Sequence, residues 1–141
     1  IVMKLLKYIF ATLLLTLAFG ANAQIPYKSA MSKFLGTWIE PKSIDYDGRL
    51  KVIIFKEDGE LFVKAVFQFP DDLPTNRVTI PIESISYEDG ELVTYGQRSI
   101  ESKPSYKLRI EVVEGRLKVT EYVGVRGGLL RFISSHNLDV D

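Results

Sequence analysis

Cysteine is absent from the 141 residues, and histidine occurs only once, at position 136. Without thiols the chain can form neither a disulfide nor a metal–thiolate site, and a single imidazole excludes a site built from several histidines. The 18 basic and 18 acidic side chains balance, so no broad positive surface is expected to attract phosphate backbones or anionic lipids. The sequence therefore predicts no nucleic-acid partner, no metal and no other cofactor.

The first 23 residues have the three parts of a secretory signal peptide. Lys4 and Lys7 precede the apolar run YIFATLLLTLAFG at 8–20, and the small residues of ANAQ at 21–24 follow it. We therefore predict cleavage after Ala23, a mature domain over 24–141 and a secreted or periplasmic location. Because the leader has no cysteine, a lipoprotein is excluded.

A membrane anchor is the alternative interpretation of this segment. The uncharged stretch 8–23 has 16 residues, which is fewer than the roughly 18 to 20 that span a bilayer. No basic stop-transfer cluster follows it. The domain is therefore not expected to span the membrane once the leader is removed.

Short turn phrases divide the rest of the chain. They are DGRL at 47–50, DGEL at 58–61 and 89–92, EGRL at 114–117 and RGGL at 126–129. Such pairs supply the positive φ angles of tight hairpin turns. The apolar runs between them predict eight strands: Phe34–Glu40, Leu50–Glu57, Glu60–Phe69, Thr79–Glu88, Glu91–Ser99, Tyr106–Val113, Arg116–Arg126 and Leu129–Asn137.

Eight sequential strands joined mostly by hairpins predict one all-β domain, an eight-stranded antiparallel up-and-down barrel. Closure into a barrel removes the exposed edges of the sheet. A two-layer sandwich fits the same periodicity and remains open as an alternative. Only PYKSAMSK at 26–33 offers a helical turn.

Two hairpins predict which face of the last three strands is inside. Glu114-Gly115 and Gly127-Gly128, taken as two-residue turns, place the same side chains inward because side chains alternate along a strand. The predicted pairs are Leu117–Val112, Val119–Ile110, Glu121–Leu108, Val123–Phe132, Glu121–Ser134 and Val119–His136. In the segment before Asp89-Gly90, Ile80 and Ile82 fall out of phase with Ile85 and Tyr87, which predicts a β-bulge there.

The only tryptophan lies in Gly36-Thr37-Trp38, on the first predicted strand. This resembles the Gly-x-Trp signature of the lipocalin and calycin barrels, and the chain is similar to small lipocalin-like domains exported by bacteria. The resemblance covers strand number and order over 24–141, without the disulfides and C-terminal helix of most lipocalins. It implies that Trp38 packs at the closed end of the barrel against an arginine of the last strand, here Arg131. Gly36 is expected to allow close approach of another strand.

Several inward side chains form a candidate ligand site. An eight-stranded barrel either fills itself with side chains or holds one small ligand. A buried carboxylate needs partners or it protonates, so Glu121 is predicted to pair with its neighbours or to anchor a polar ligand group. His136 as a lone haem ligand is a further alternative. The predicted ligand-binding residues are Phe67, Phe69, Tyr106, Glu121, Phe132, Ser134 and His136.

Glu121, Ser134 and His136 also have the residue types of a hydrolase triad. No G-x-S-x-G elbow occurs, and strand positions supply no turn with oxyanion donors, so we do not expect an enzyme. Two functions remain. One is a binding protein for a small apolar or amphipathic ligand, and the other is a ligand-free barrel that presents loops or an edge to a protein partner, as periplasmic protease inhibitors do. An open interior favours the first and a filled interior the second.

Overall fold

The computed structural model describes residues 24–42, 48–69, 77–96, 106–124 and 129–141. The predicted signal peptide at 1–23 and the predicted Gly127-Gly128 turn lie outside these ranges. Within them, the chain forms ten β-strands and one 3₁₀ helix, Ser29–Phe34. The strands are β1 Gln24–Pro26, β2 Gly36–Ile39, β3 Arg49–Glu57, β4 Glu60–Gln68, β5 Arg77–Thr79, β6 Ser84–Glu88, β7 Glu91–Gly96, β8 Tyr106–Val113, β9 Arg116–Gly124 and β10 Leu130–Val140.

The strands make one antiparallel sheet that curls into a nearly closed barrel. Their order is β1-β4-β3-β2-β10-β9-β8-β7-β6, and β5 lies beside β4. Strands consecutive in sequence pair in two meanders, β2 to β5 and β6 to β10, and β10 returns to pair with β2. The two ends of the sheet approach each other where β1 contacts β6. The predicted all-β antiparallel barrel is confirmed, and the two-layer sandwich is not formed.

The predicted number of eight strands is wrong for two reasons. The three residues of β1 are too few to give a periodic pattern. The predicted strand Thr79–Glu88 is divided between β5 and β6, because the chain leaves β4 and joins β7 between them. The Ile80 N–H donates to the Ala65 carbonyl at 2.9 Å, and the Glu83 N–H donates to the Tyr95 carbonyl at 2.7 Å.

This crossing, and not the predicted β-bulge, explains the phase change at Ile80 and Ile82. Gly96 at the end of β7 lies against it, since a Cβ at this position would fall 1.8 Å from the Pro81 carbonyl oxygen. A glycine therefore lets β7 approach the crossing segment. The chain between β5 and β6 thus joins the two meanders covalently. Hydrogen bonds between β10 and β2 join them a second time.

Tight turns and the 3₁₀ helix lie at one end of the barrel. The turn pairs Asp58-Gly59, Asp89-Gly90 and Glu114-Gly115 all have positive φ angles, as predicted for two-residue hairpins. The 3₁₀ helix leads into β2 at this same end and buries Met31 and Phe34 almost completely. We call this the turn end. In the described part of the chain, β2, β4, β7 and β9 end at the opposite end of the barrel, which we call the open end.

The core consists of inward side chains that alternate along the strands. Full burial of one such aliphatic or aromatic side chain stabilises the fold by about 1.5 to 3 kcal/mol. The fully buried residues of the strands include Leu50, Val52, Ile54, Leu61, Val63, Leu92, Leu108, Ile110, Leu117 and Leu138.

Among the described residues, no helix has the length and hydropathy needed to cross a membrane.

Candidate functional site

A cavity of about 900 Å³ lies beside β10 and β4. It extends past the edge of β10, because side chains from both faces of that strand line it. The barrel is therefore neither wholly filled nor wholly hollow. The lining residues are Glu40, Pro41, Lys42, Phe67, Phe69, Val78, Tyr106, Arg116, Glu121, Ile133, Ser134, Ser135, His136 and Asn137.

Glu121 is the buried centre of a polar network on the cavity wall. Glu121 is only 5% exposed. The Tyr106 hydroxyl donates to Glu121 Oε1 at 2.8 Å, and the Ser134 hydroxyl donates to Glu121 Oε2 at 2.9 Å. β8, β9 and β10 bring these three residues together through the pairs Leu108–Glu121 and Glu121–Ser134.

His136 links this centre to the end of β2. Its Nε2 lies 2.9 Å from Ser134 Oγ and 3.6 Å from Glu121 Oε1, and its Nδ1 lies 2.7 Å from Glu40 Oε2. Glu40 in turn is fixed by β3, since the Leu50 N–H donates to Glu40 Oε1 at 3.2 Å. The imidazole is thus held between two carboxylates, with Ser134 bridging it to Glu121.

The network carries charge in spite of its burial. Burial alone raises the pKa of a carboxyl, but the contacts with His136, Tyr106 and Ser134 outweigh it and hold the Glu121 pKa below its usual value. Burial alone lowers the pKa of an imidazole, but the contacts with Glu121 and Glu40 outweigh it and raise the His136 pKa to about 9. At neutral pH, His136 is therefore an imidazolium ion and Glu121 a carboxylate.

Aromatic and aliphatic side chains complete the cavity wall. The Phe67 ring meets the His136 ring edge to face, with 5.8 Å between centroids. Phe69 is 39% exposed and lies further towards the open end. Val78 and Ile133 add apolar surface. An apolar surface thus adjoins the charged network directly.

Six of the seven predicted ligand-site residues line this cavity, and Phe132 does not. Phe132 is 55% exposed and packs on Tyr122 outside the barrel, with ring centroids 6.2 Å apart. The reason is a β-bulge: Phe132 pairs with Tyr122, Ser134 pairs with Glu121, and Ile133 is the extra residue between them. Ile133 takes the place on the cavity wall that the sequence had assigned to Phe132.

The predicted burial of Trp38 is confirmed, but the predicted packing of Trp38 against Arg131 is wrong. Trp38 is 4% exposed, and its indole N–H donates to the Phe34 carbonyl at 2.9 Å. On β10, Trp38 pairs with Val140, whereas Arg131 pairs with Val123 and is exposed. Val140 lies nine residue steps after Arg131 on the strand, which is about 30 Å of extended chain, so the predicted contact does not form.

Gly36 serves a different purpose from the one predicted. Its φ angle is +135°, a conformation that L side chains rarely adopt. A Cβ at this position would meet its nearest neighbour, the Trp38 Nε1 atom, at 3.8 Å, which is ordinary contact. Backbone conformation, not close approach of another strand, requires the glycine.

Glu40 is the main site residue that the sequence reasoning missed. The signal was available in part, since Glu40 follows Trp38 by two residues and therefore shares its inward face. Its role depends on the return of β10 to β2, which places His136 beside it. Among the described residues, no group of three or more acidic or histidine side chains is arranged to hold a metal ion.

The contacts of His136 have the connectivity of a catalytic triad but not its protonation. Ser134 lies at Nε2 and Glu40 at Nδ1, as a nucleophile and an orienting acid would. A general base must be neutral to accept the serine proton, whereas His136 is protonated up to about pH 9. The Ser134 proton already points to Glu121. The arrangement therefore suits ion pairing and hydrogen bonding better than nucleophilic attack.

Comparisons with known proteins find one structural resemblance. No protein-family model and no curated protein matches the chain. A solved structure that resembles it is the zebrafish ileal bile acid-binding protein complexed with cholic acid, at 15% identity and a TM-score of 0.45. The alignment covers 78% of this chain and 100% of that one.

Proposed function

We propose that this protein is an exported, lipocalin-like binding protein that holds a small apolar or amphipathic molecule in the cavity beside β10. The observation that carries the proposal is the cavity itself, with a volume of about 900 Å³. Small-molecule sites generally have volumes of roughly 300 to 1,000 Å³, apolar walls and a few convergent polar groups. Phe67, Phe69 and Ile133 supply the wall, and Glu121 and His136 supply the polar groups.

A neutral apolar dye whose fluorescence rises on burial tests this proposal. We expect saturable binding at one site per chain, and roughly tenfold weaker binding by Phe67→Ala, because burial of an aromatic ring contributes one to a few kcal/mol. Phe55→Ala is the matched control, since Phe55 stacks on Phe62 away from the cavity, with ring centroids 5.2 Å apart. Equal loss in both variants, or no saturable binding, would contradict the proposal.

Catalysis is not part of the proposed function. If Ser134 were a nucleophile, a p-nitrophenyl ester would be hydrolysed faster than by a Ser134→Ala variant. We expect equal rates for the two proteins at pH 7. A rate dependent on Ser134 would instead favour a hydrolase.

A protein partner is the second candidate function, and the start of β10 favours it. The exposed fractions are 70% for Leu129, which directly precedes β10, and 38% for Leu130, 55% for Phe132 and 44% for Ile133 on the strand. In the described part of the chain, the paired residues between β10 and β2 are only Asp139–Ile39 and Val140–Trp38. Exposed apolar side chains on a strand with a free edge are typical of protein-binding surfaces.

Native mass spectrometry of the protein from its own source separates the two candidates. A bound small molecule supports the binding protein. A bound polypeptide that is lost in Phe132→Asp, together with an empty cavity, supports the second candidate.

A further inference from the structure

The hydrogen-bond donors of the polar network are already used within the protein. The two imidazole nitrogens of His136 contact Glu40 Oε2 and Ser134 Oγ. The hydroxyl protons of Ser134 and Tyr106 both point to Glu121. An anionic ligand group placed at this network would need one of these donors, and it would have to displace a carboxylate that already holds the donor.

The capacity that remains in the network is for accepting hydrogen bonds. A carboxylate has about four lone-pair positions. Glu121 accepts one hydrogen bond on each oxygen, from Tyr106 and Ser134. Glu40 accepts one on each oxygen, from the Leu50 N–H and from His136. Each carboxylate can therefore accept further hydrogen bonds from a ligand.

The charge of the network has the same consequence. Two carboxylates surround one imidazolium, so these three side chains together carry one net negative charge. Arg49, whose Nε donates to the Glu40 backbone carbonyl at 2.8 Å, does not line the cavity. Of the basic side chains described on the cavity lining, Arg116 is paired with Asp139 at 2.6 Å, and Lys42 is exposed. Neither contacts Glu121, so the inner wall favours a positive ligand group.

We propose that the ligand is a cationic amphiphile, whose ammonium group binds at Glu121 and Glu40 and whose apolar part lies along Phe67, Phe69 and Ile133. This inference rests on the proposed function, since it names the class of molecule that the cavity holds. An ammonium group offers three donors and one positive charge. It therefore matches the unused acceptors and the net charge, whereas a carboxylate matches neither.

Three ligands with the same ten-carbon tail test the proposal by isothermal titration calorimetry at pH 7. They are decylammonium, decanol and decanoate, each used below the concentration at which it aggregates. We expect decylammonium to bind at least about tenfold more tightly than decanoate, because hydrogen bonds to charged groups contribute roughly 1.5 to 3 kcal/mol. Decanol, which is neutral, is expected between the two.

Charge-removing variants locate the head-group site. Glu121→Gln keeps the side-chain shape and is expected to remove most of the preference for decylammonium over decanol. Glu111→Gln is the matched control, because this substitution changes the net charge of the protein by the same amount. Glu111 pairs with Lys118 on the outer face at 3.7 Å. An equal effect of both variants would overturn the assignment of the ammonium group to the network.

The three-ligand comparison on the unmodified protein distinguishes a failure of the cationic-ligand inference from a failure of the proposed binding function. Binding of decanoate as tight as that of decylammonium overturns the inference and leaves the proposed function in place. Equal binding of all three ligands also overturns it, because the head group then plays no part. If none of the three binds, the proposed function fails and the inference fails with it.

Discussion

Glu121 shows how a carboxylate remains ionised in the interior of a barrel. An unpaired buried charge is costly, and a carboxyl without partners takes up a proton instead. Glu121 avoids this because three neighbours on two strands contact it. The arrangement depends on His136 remaining positive.

The single histidine makes its protonation directly measurable. We expect the His136 Hε1 resonance to titrate with a midpoint near pH 9, above the ordinary value of 6.5, because the Glu121 and Glu40 carboxylates favour the imidazolium. Glu121→Gln should lower this midpoint, and Glu111→Gln should leave it unchanged. A midpoint at or below 6.5 in the unmodified protein would show that His136 is neutral at pH 7 and would contradict the ion pair with the two carboxylates.

The same pKa values predict how stability depends on pH. A raised histidine pKa stabilises the folded state fully below 6.5, and this contribution is lost as the pH rises through about 9. The lowered Glu121 pKa stabilises the fold above 4.5, and its contribution is lost as the pH falls through the folded value. Both contributions are present between about 4.5 and 6.5.

Urea unfolding of the protein and of His136→Gln checks this dependence. The difference in unfolding free energy should be largest near pH 6 and smaller by about 2 to 3 kcal/mol at pH 9.5, following the linkage between pKa and stability. A difference that does not change with pH would contradict the raised pKa.

Trp38 tests the packing of the turn end. Trp38→Ala should lower the unfolding free energy by about 3 to 5 kcal/mol, because it leaves a cavity and removes the hydrogen bond to Phe34. Arg131→Ala should change it by less than about 0.5 kcal/mol, since Arg131 is exposed. Circular dichroism is the suitable probe because the variant has no tryptophan. Equal losses of unfolding free energy in the two variants would instead support the Trp38–Arg131 contact that the family resemblance implied.

At the scale of the strand, the bulge at Ile133 determines which side chains of β10 face the cavity. Beyond the bulge, the predicted pairs Glu121–Ser134 and Val119–His136 are confirmed. Before it, Leu130 pairs with Gly124 and Arg131 with Val123, one residue away from the predicted register. One extra residue thus keeps the polar network inside while it turns Phe132 outward.

Two truncations on β10 check this register. Leu138→Ala should lower the unfolding free energy by about 2 to 5 kcal/mol, because Leu138 is fully buried. Phe132→Ala should cost about 1 kcal/mol, since it loses only an exposed ring contact with Tyr122. A larger loss for Phe132 than for Leu138 would favour the continuous register without a bulge.

At the scale of the whole molecule, the two ends of the barrel differ. The turn end is filled by the 3₁₀ helix with Met31 and Phe34. The cavity lies beside β10, and Glu40 and Phe69, which follow β2 and β4 at the open end, line part of it. A stable, filled end combined with an accessible cavity suits a binding protein, because binding residues are commonly carried on a rigid scaffold.

Export is the prediction that belongs to the molecule as a whole. Amino-terminal sequencing of protein recovered from outside the cytoplasm should begin at Gln24, because ANAQ provides the small residues that signal peptidase requires. An Ala23→Arg variant should be cleaved poorly. Protein that keeps Lys4 and Lys7 and sediments with membranes would instead favour the anchor.

The local chemistry of the chain determined the hairpins and the inward faces. Asp-Gly and Glu-Gly pairs specify tight turns, and period-two alternation from Glu114-Gly115 predicted that Glu121 points inward. The same alternation from Gly127-Gly128 predicted that Ser134 and His136 share its face. These features depend on residues that are close in sequence, where backbone conformation and alternation leave few choices.

Only the tertiary structure decided which distant strands meet. Glu40 reaches His136 across 96 residues, because β10 closes onto β2. The crossing at Pro81 and the bulge at Ile133 depend in the same way on how the sheet curls and closes. Closure of the barrel depends on the packing of all its strands. Turn residues and side-chain alternation describe only neighbouring segments, so they could not predict that Glu40 is the partner of His136.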